Sequence, residues 1–135
     1  MDPGSVGLAT TGPVASSPAP SPLSFTLTAG TDNMTGAGTD DTFTATTATL
    51  QPADTIDGAG GTDTFTFTNT SAAALPAASF KSIEVFNIIA TSNLNSTDVS
   101  GLAGMTKFNA DRATATITAT NAGAGVQYGI LGDNA

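Results

Sequence analysis

The chain of 135 residues contains no Cys and no His, and it has only 3 Lys and Arg side chains. Without Cys a disulfide framework is excluded, and without either residue type zinc, haem and iron–sulfur centres lose their usual ligands. The many Ser and Thr hydroxyls also lack a neighbouring base of the His or Ser-x-x-Lys type that nucleophilic catalysis requires. We therefore predict that the protein is not an enzyme.

Positive charge is scarce, whereas acidic residues are not. The 11 Asp and Glu side chains give a formal net charge of −8, and all of the acids except Glu84 are Asp. Phosphate backbones would be repelled, so nucleic acid is not an expected partner. The chain also lacks a run of about 20 apolar residues, so we predict no membrane span. A bias towards Asp over Glu is typical of turns and of cation sites.

The residues that are abundant favour strands joined by turns. Thr makes up nearly one residue in five, and 15 Gly and 7 Pro supply turn positions. Short runs in which large apolar residues alternate with polar ones have the period of a half-buried strand. The runs comprise residues 25–28, 43–46, 65–68, 85–89, 108–110, 117–120 and 126–130.

One segment occurs twice. Residues 32–46 return 22 residues later as residues 54–68, with Asp, Gly-Ala-Gly and Asp-Thr-Phe-Thr in register. A period near 20 residues with one short strand in each repeat predicts an all-β parallel β-solenoid, and stacking would then align Phe43, Phe65 and Phe86 in a ladder. A β-sandwich is the alternative, because it also consists of short strands separated by turns.

The two ends of the chain lead to separate expectations. Residues 1–22 are rich in Pro, Ser and Ala, which predicts a disordered linker or a tag remnant. Residues 23–135 are predicted to form the solenoid domain, with short helical turns as an alternative at residues 72–75 and 98–105. The final Gly-Asp-Asn resembles the start of another turn, so we expect a fragment of a longer protein or a unit that stacks end to end.

The repeated Gly-rich turns are the candidate metal sites. Residues 58–66 fit the nonapeptide calcium repeat G-G-x-G-x-D-x-U-x except at Ala59, and residues 36–44 fit it less well. In that motif the carboxylate supplies a hard anionic oxygen of the kind that Ca²⁺ prefers. Asp41 and Asp63 match the motif best, and four neighbours have a looser claim: Asp32, Asp40, Asp54 and Asp57. The alternative is that these side chains cap the backbone of their own turns.

These segments also resemble a known group of proteins. Residues 30–36 and 54–64, together with residues 83–88 and 98–102, are similar to RTX-type surface-layer and adhesin proteins of Gram-negative bacteria. The resemblance covers residues 25–120. It implies type I secretion, calcium-dependent folding outside the cell and assembly into a surface array.

The expected function is therefore structural. We predict a secreted, extracellular component of a bacterial surface layer or matrix that self-assembles with calcium into a homo-oligomer or lattice. A cell-surface polysaccharide is a second expected partner. The alternatives are an adhesin stalk or binding module, and the repeat domain of a type I secreted enzyme.

Overall fold

The computed structural model describes residues 18–131, which form a parallel β-solenoid of about five turns without a helix. Eleven strands are arranged in three sheets that are parallel throughout. The largest sheet, sheet A, contains β1 (Ser24–Thr26), β3 (Thr42–Thr46), β5 (Thr64–Asn69), β7 (Val85–Ala90), β9 (Lys107–Asp111) and β11 (Gln127–Leu131). Sheet B contains β2 (Asn33–Thr35), β4 (Thr55–Asp57) and β6 (Ser79–Lys81), and sheet C contains β8 (Leu94–Asp98) and β10 (Ile117–Thr120).

The alternation of apolar residues and Thr determines which face of sheet A is buried. In β5, Phe65 and Phe67 point into the core with no exposed surface, while Thr64 and Thr66 stay half-exposed on the outer face. Because side chains alternate with a period of two, a slip by one residue would expose every Phe. The alternation therefore determines the register as well as the face.

The predicted Phe ladder is present. Phe43, Phe65 and Phe86 occupy equivalent positions on successive strands, and none of them is exposed to solvent. Phe25 extends the ladder at one end, where its ring stacks on that of Phe43 at 4.8 Å. Phe108 extends it at the other end, opposite Phe86. The 22-residue repeat thus sets the register between β3 and β5, as its spacing predicts.

Sheet B closes the core from the opposite side. Ile56 and Phe80 face inwards from β4 and β6, and each is almost completely buried. Phe80 packs edge-on against Phe65 and Phe86, with ring centroids 4.8 and 5.2 Å apart. Such T-shaped contacts lock the sheets together beyond the area that they bury.

Sheets B and C correct part of the sequence interpretation. Their strands lie outside the predicted strand runs, apart from β10, which matches the run at residues 117–120. The suggested helices at residues 72–75 and 98–105 were wrong. Ala73 instead forms a bridge to Leu94, and Leu102 forms one to Phe80. The glycines at 101 and 104 already weaken a helix there, and residues 99–105 instead form short hydrogen-bonded turns that stack on the preceding turn of the solenoid.

Within residues 18–131, β1 and β11 each pair with one neighbour, so each is an edge of sheet A. Residues 18–22 are exposed and have no regular secondary structure. The remainder of the predicted linker, residues 1–17, and the predicted turn opening at residues 132–135 lie outside the described residues.

Candidate functional site: a stacked carboxylate corner

The best-matching calcium candidates lie at one corner of the solenoid. Asp41, Asp63 and Glu84 each immediately precede a strand of sheet A, and the strand register places them on successive turns. We call these three residues the carboxylate corner. Asp41 and Asp63 have no exposed surface, although two carboxylates in a core would ordinarily be unfavourable.

Backbone hydrogen bonds between turns make this burial possible. The Asp41 carboxylate accepts the Leu23 backbone N–H at 2.7 Å, one turn earlier. The carboxylate of Asp63 accepts the Asp41 N–H at 2.7 Å. Glu84 accepts the Asp63 N–H at 2.8 Å. Each carboxylate therefore satisfies the backbone donor of the equivalent residue in the turn before it.

Asp41 is fully satisfied. Its second oxygen, Oδ2, accepts the Ala37 backbone N–H, and Oδ1 also accepts the Thr39 hydroxyl at 3.0 Å. The hydrogen bond from Leu23 holds the pKa of Asp41 below its ordinary value, and the bonds from Ala37 and Thr39 act in the same direction against the effect of burial. Asp41 is thus a carboxylate stabilised in its ionised form.

Asp63 has the same position in the next turn but lacks one of these bonds. Its Oδ2 is buried and has no hydrogen-bond partner. The residue equivalent to Ala37 is Ala59, which has a left-handed φ of 69° and donates its N–H to Asp57 at 2.9 Å instead. The altered turn at Ala59 therefore removes the donor that Asp41 retains.

The pKa of Asp63 consequently moves in the opposite direction. Burial raises it above its ordinary value, and the neighbouring charges of Glu84, Asp41 and Asp40 raise it further. The hydrogen bond from the Asp41 N–H opposes this effect. Two equivalent carboxylates thus differ in electrostatic environment because of one turn, and Asp63 is the group that favours protonation.

Glycines beside the corner leave room for these carboxylates. A Cβ on Gly36 would overlap Asp41 Oδ2 and the Gly58 carbonyl oxygen. A Cβ on Gly58 would overlap Asp63 Oδ2 and the Ser82 carbonyl oxygen of the next turn. At these two positions close approach of the next turn, and not a positive φ, is what requires glycine.

Asp32 and Asp54 form a similar pair at another corner, immediately before β2 and β4. Asp54 Oδ1 accepts the Asp32 N–H at 2.9 Å, and Asp54 Oδ2 accepts the Gln51 N–H at 2.7 Å. Asp32 Oδ2 accepts the Thr28 N–H at 2.7 Å. Both side chains thus cap the turn that precedes them, and Asp54 also joins two turns.

The last two candidates lie nearer the surface. Asp40 accepts the Thr62 N–H at 2.8 Å, again from one turn to the next. Asp57 pairs with Lys81 at 2.7 Å, a bond that lowers the pKa of Asp57 together with the Ala59 N–H. This ion pair is exposed on the Lys81 side, so its contribution to stability is small.

The six candidates do not converge on one point. In residues 18–131, no three or more His, Cys, Asp or Glu side chains are placed so that they could hold a metal ion. Each candidate carboxylate accepts a backbone N–H on at least one oxygen, and an oxygen occupied in this way faces a donor hydrogen instead of a cation. The carboxylate oxygens are therefore not arranged as a calcium cage, and calcium binding stays a prediction from the sequence.

Glu84 belongs to the corner but is absent from the doubled segment. It immediately precedes Val85, which pairs with Thr64, just as Asp63 immediately precedes Thr64. Aligning the third turn by its Phe would have found it. The stack of carboxylates ends at the next equivalent position, Thr106, whose hydroxyl donates to the Glu84 carbonyl oxygen at 3.2 Å.

Comparisons of the chain with protein-family models, with curated proteins and with solved structures find no match. The strand arrangement alone defines the class of this protein, which is a parallel β-solenoid. Over the described part of the chain, no helix has the length and hydrophobicity that crossing a membrane requires.

Proposed function

We propose that the protein is a structural component of an extracellular surface layer or matrix, in which solenoids associate end to end through the edges of sheet A. The observation that supports the proposal is the edge strand β11, where Tyr128 and Ile130 are 64% and 83% exposed. An edge strand with large exposed apolar side chains is a template for pairing with another strand. Its natural counterpart is the opposite edge, β1, on a second copy.

The remainder of the molecule supports a structural role. Most of the candidate Asp side chains form hydrogen bonds that join one turn of the solenoid to the next. The core contains a continuous Phe ladder. Secretion and a cell-surface location belong to the same proposal, and they rest on the resemblance of residues 25–120 to RTX-type surface proteins. No step of the proposed association requires calcium.

The association can be tested by charging one edge. Light scattering and negative-stain electron microscopy of the full chain are expected to show concentration-dependent filaments or oligomers. Ile130→Lys introduces an edge charge and should leave a monomer. The matched control is Thr44→Lys, which adds the same charge to β3, a strand that already has neighbours on both sides.

Calcium and chelator are added as separate conditions. Association that is equal in both conditions would support edge pairing without metal, and association only with calcium would restore the calcium prediction. A monomer at every concentration, with and without calcium, would contradict the proposal. In that case the adhesin stalk or binding module becomes the better hypothesis.

A further inference from the structure

The strands at the two edges of sheet A end the same aromatic ladder. Tyr128 on β11 lies opposite Phe108, and Phe25 on β1 lies opposite Phe43. The rings of Tyr128 and Phe108 have centroids 6.3 Å apart, and those of Phe25 and Phe43 stack at 4.8 Å. Phe108 and Phe43 are buried, whereas Tyr128 is 64% exposed and Phe25 is half-buried. Within residues 18–131, each end of the ladder therefore has an aromatic neighbour on one side only.

The exposed apolar surface of β11 lies on the core side of the sheet. Residues that lie opposite each other in a parallel sheet point to the same face, so Ile130 points inwards as its partner Ala110 does. Ile130 is nevertheless 83% exposed. A cavity of about 280 Å³ also opens on this side, and its lining consists of Phe108, Ala110, Ile117, Ala119, Tyr128 and Gly129. The apolar interior is thus left open at the β11 edge of the described chain.

The backbone groups of β11 alternate between its neighbour and the free edge. The Gln127 N–H donates to the Thr106 carbonyl oxygen at 2.8 Å, and the Leu131 carbonyl oxygen accepts the Arg112 N–H at 2.7 Å. Gln127 and Leu131 therefore direct their backbone groups towards β9. Successive residues of a strand direct these groups to opposite sides, so the inward-facing residues of β11 direct theirs to the free edge.

The backbone groups of β1 have the complementary alternation. The Leu27 N–H donates to the Thr44 carbonyl oxygen, and the Leu23 carbonyl oxygen accepts the Thr42 N–H, both at 2.9 Å. Leu23 and Leu27 therefore direct their backbone groups towards β3. The outward-facing residues between them direct theirs to the free edge. One edge of sheet A thus offers the backbone of its inward-facing residues, and the other offers the backbone of its outward-facing residues.

We propose that a second copy docks head to tail in one register, with Tyr128 of one copy opposite Phe25 of the next. The inference rests on the proposed end-to-end association and adds its direction and its register. In this register the Tyr128 N–H meets the Ser24 carbonyl oxygen of the next copy, and the Tyr128 carbonyl oxygen meets the Thr26 N–H. The same pattern joins every other pair of neighbouring strands in sheet A. The aromatic ladder and the parallel sheet both continue through the junction, and the docked strand covers Ile130.

Other contacts lose one of these matches. A slip by one residue would place the Tyr128 backbone opposite groups that point away from the junction. A slip by two residues would restore the hydrogen bonds but would move the Tyr128 and Phe25 rings about 6.6 Å apart along the strand. A head-to-head contact of two β11 edges would pair antiparallel strands and stop at two copies. The head-to-tail contact leaves a free edge at each end, so copies add to form a filament.

Disulfides can map the junction, because the chain contains no Cys. In the proposed register Gln127 lies opposite Ser24 of the next copy, about 4.8 Å away, which is within the range that a disulfide spans. The double variant Ser24→Cys with Gln127→Cys should give a ladder of covalent oligomers on a non-reducing gel after mild oxidation. The matched control is Thr26→Cys with Gln127→Cys, whose diagonal distance of about 8 Å is too long for a disulfide. The control should cross-link several-fold more slowly, and circular dichroism checks that both variants are folded.

The outcomes separate this inference from the proposed association. A wild type that stays monomeric in light scattering would overturn both. Association in which the Thr26 pair cross-links faster, or in which neither pair cross-links, would overturn the register alone. Disulfide dimers of Gln127→Cys as a single variant, formed as fast as the ladder, would show head-to-head contact and overturn the direction. Addition of Ile130→Lys to the in-register pair should abolish the ladder, and a ladder that persisted would mean that the cross-links come from random collision.

Discussion

Asp41 and Asp63 occupy equivalent positions, yet we expect the same substitution to change stability in opposite directions. In Asp63→Asn, the amide oxygen can keep the bond to the Asp41 N–H, and the amide nitrogen replaces the orphaned Oδ2. The Ser82 carbonyl borders the same space and provides an acceptor. We therefore expect the variant to replace a buried, unsatisfied oxygen with a donor that can bond to the Ser82 carbonyl.

The magnitude follows from the cost of that oxygen. A buried polar group without a hydrogen bond costs about 1–3 kcal/mol, so Asp63→Asn should be more stable than the wild type by about that amount near neutral pH. For a domain of this size the melting temperature should rise by about 4 °C or more. Asp41→Asn should melt below the wild type. In one orientation its amide nitrogen would face the Ala37 N–H, and in the other it would face the Leu23 N–H, so one backbone donor loses its acceptor in either case.

The pH dependence has a defined sign. The pKa of Asp63 is raised in the folded protein above the ordinary Asp pKa of 3.8. As the pH rises, Asp63 therefore ionises in the unfolded chain before it ionises in the folded protein. Between that value and the folded pKa the folded state binds more protons, and stability falls with rising pH. The advantage of Asp63→Asn should therefore be smallest below pH 3.8 and should grow through this window.

For Asp41 the sign is reversed, because its folded pKa is lowered. Its contribution is present above the ordinary value and is lost as the pH falls through the folded pKa. The deficit of Asp41→Asn should therefore also grow as the pH rises. The two difference curves, each variant minus wild type, should diverge in opposite directions.

The assay is urea unfolding followed by circular dichroism at several pH values, for wild type and both variants. Unchanged m-values would show that the unfolded ensembles are comparable. Equal destabilisation by the two substitutions would refute the argument, because it would mean that Asp63 Oδ2 has a stabilising partner in solution. An Asp63→Asn advantage that did not change with pH would refute the electrostatic part alone.

Five other substitutions, at four positions, test the packing of the turns, each by its urea midpoint. Gly58→Ala should lose about 1–3 kcal/mol or more because its Cβ overlaps the next turn, whereas Gly38→Ala, which meets open space, should be neutral or slightly stabilising; equal effects would contradict the close-approach argument. Ala59→Gly should raise the free energy of unfolding by up to about 1 kcal/mol. Glycine relieves the strain of the left-handed φ, and the greater conformational entropy that it gives the unfolded chain offsets part of this gain. A clear loss of stability would contradict the left-handed turn at Ala59. Phe65→Ala should lose about 3–5 kcal/mol and Phe65→Leu less; a loss below 1 kcal/mol for Ala would mean that the ladder is not a rigid core.

The sequence was sufficient to predict sheet A because its signals are local and repeated. Phe65 and Phe67 alternate with Thr in a pattern typical of a strand, and the 22-residue spacing gives the register to Phe43 directly. Each strand of sheet B has one apolar residue between two polar ones, and three residues are too few to predict a strand. In β2, Met34 is the only apolar residue among three, so stacking on β4 and not propensity makes it a strand.

The candidate site could be predicted only in part. The repeat places Asp41 and Asp63 on one corner, as the structure does. It does not show that their oxygens are occupied by backbone N–H groups, because those bonds depend on the distance between turns. The missing hydrogen-bond partner of Asp63 Oδ2 could not be predicted from the sequence. It follows from the backbone conformation of Ala59, and both copies of the segment have Ala at that position.

The direction of the carboxylate ladder has a consequence for how the solenoid extends. Asp41, Asp63 and Glu84 all point back towards the preceding turn, so each turn leaves its own backbone donor unsatisfied until its successor packs. The same polarity distinguishes the two edges of sheet A, which supports head-to-tail over head-to-head contact between copies, because only a head-to-tail stack continues a parallel sheet in the same register.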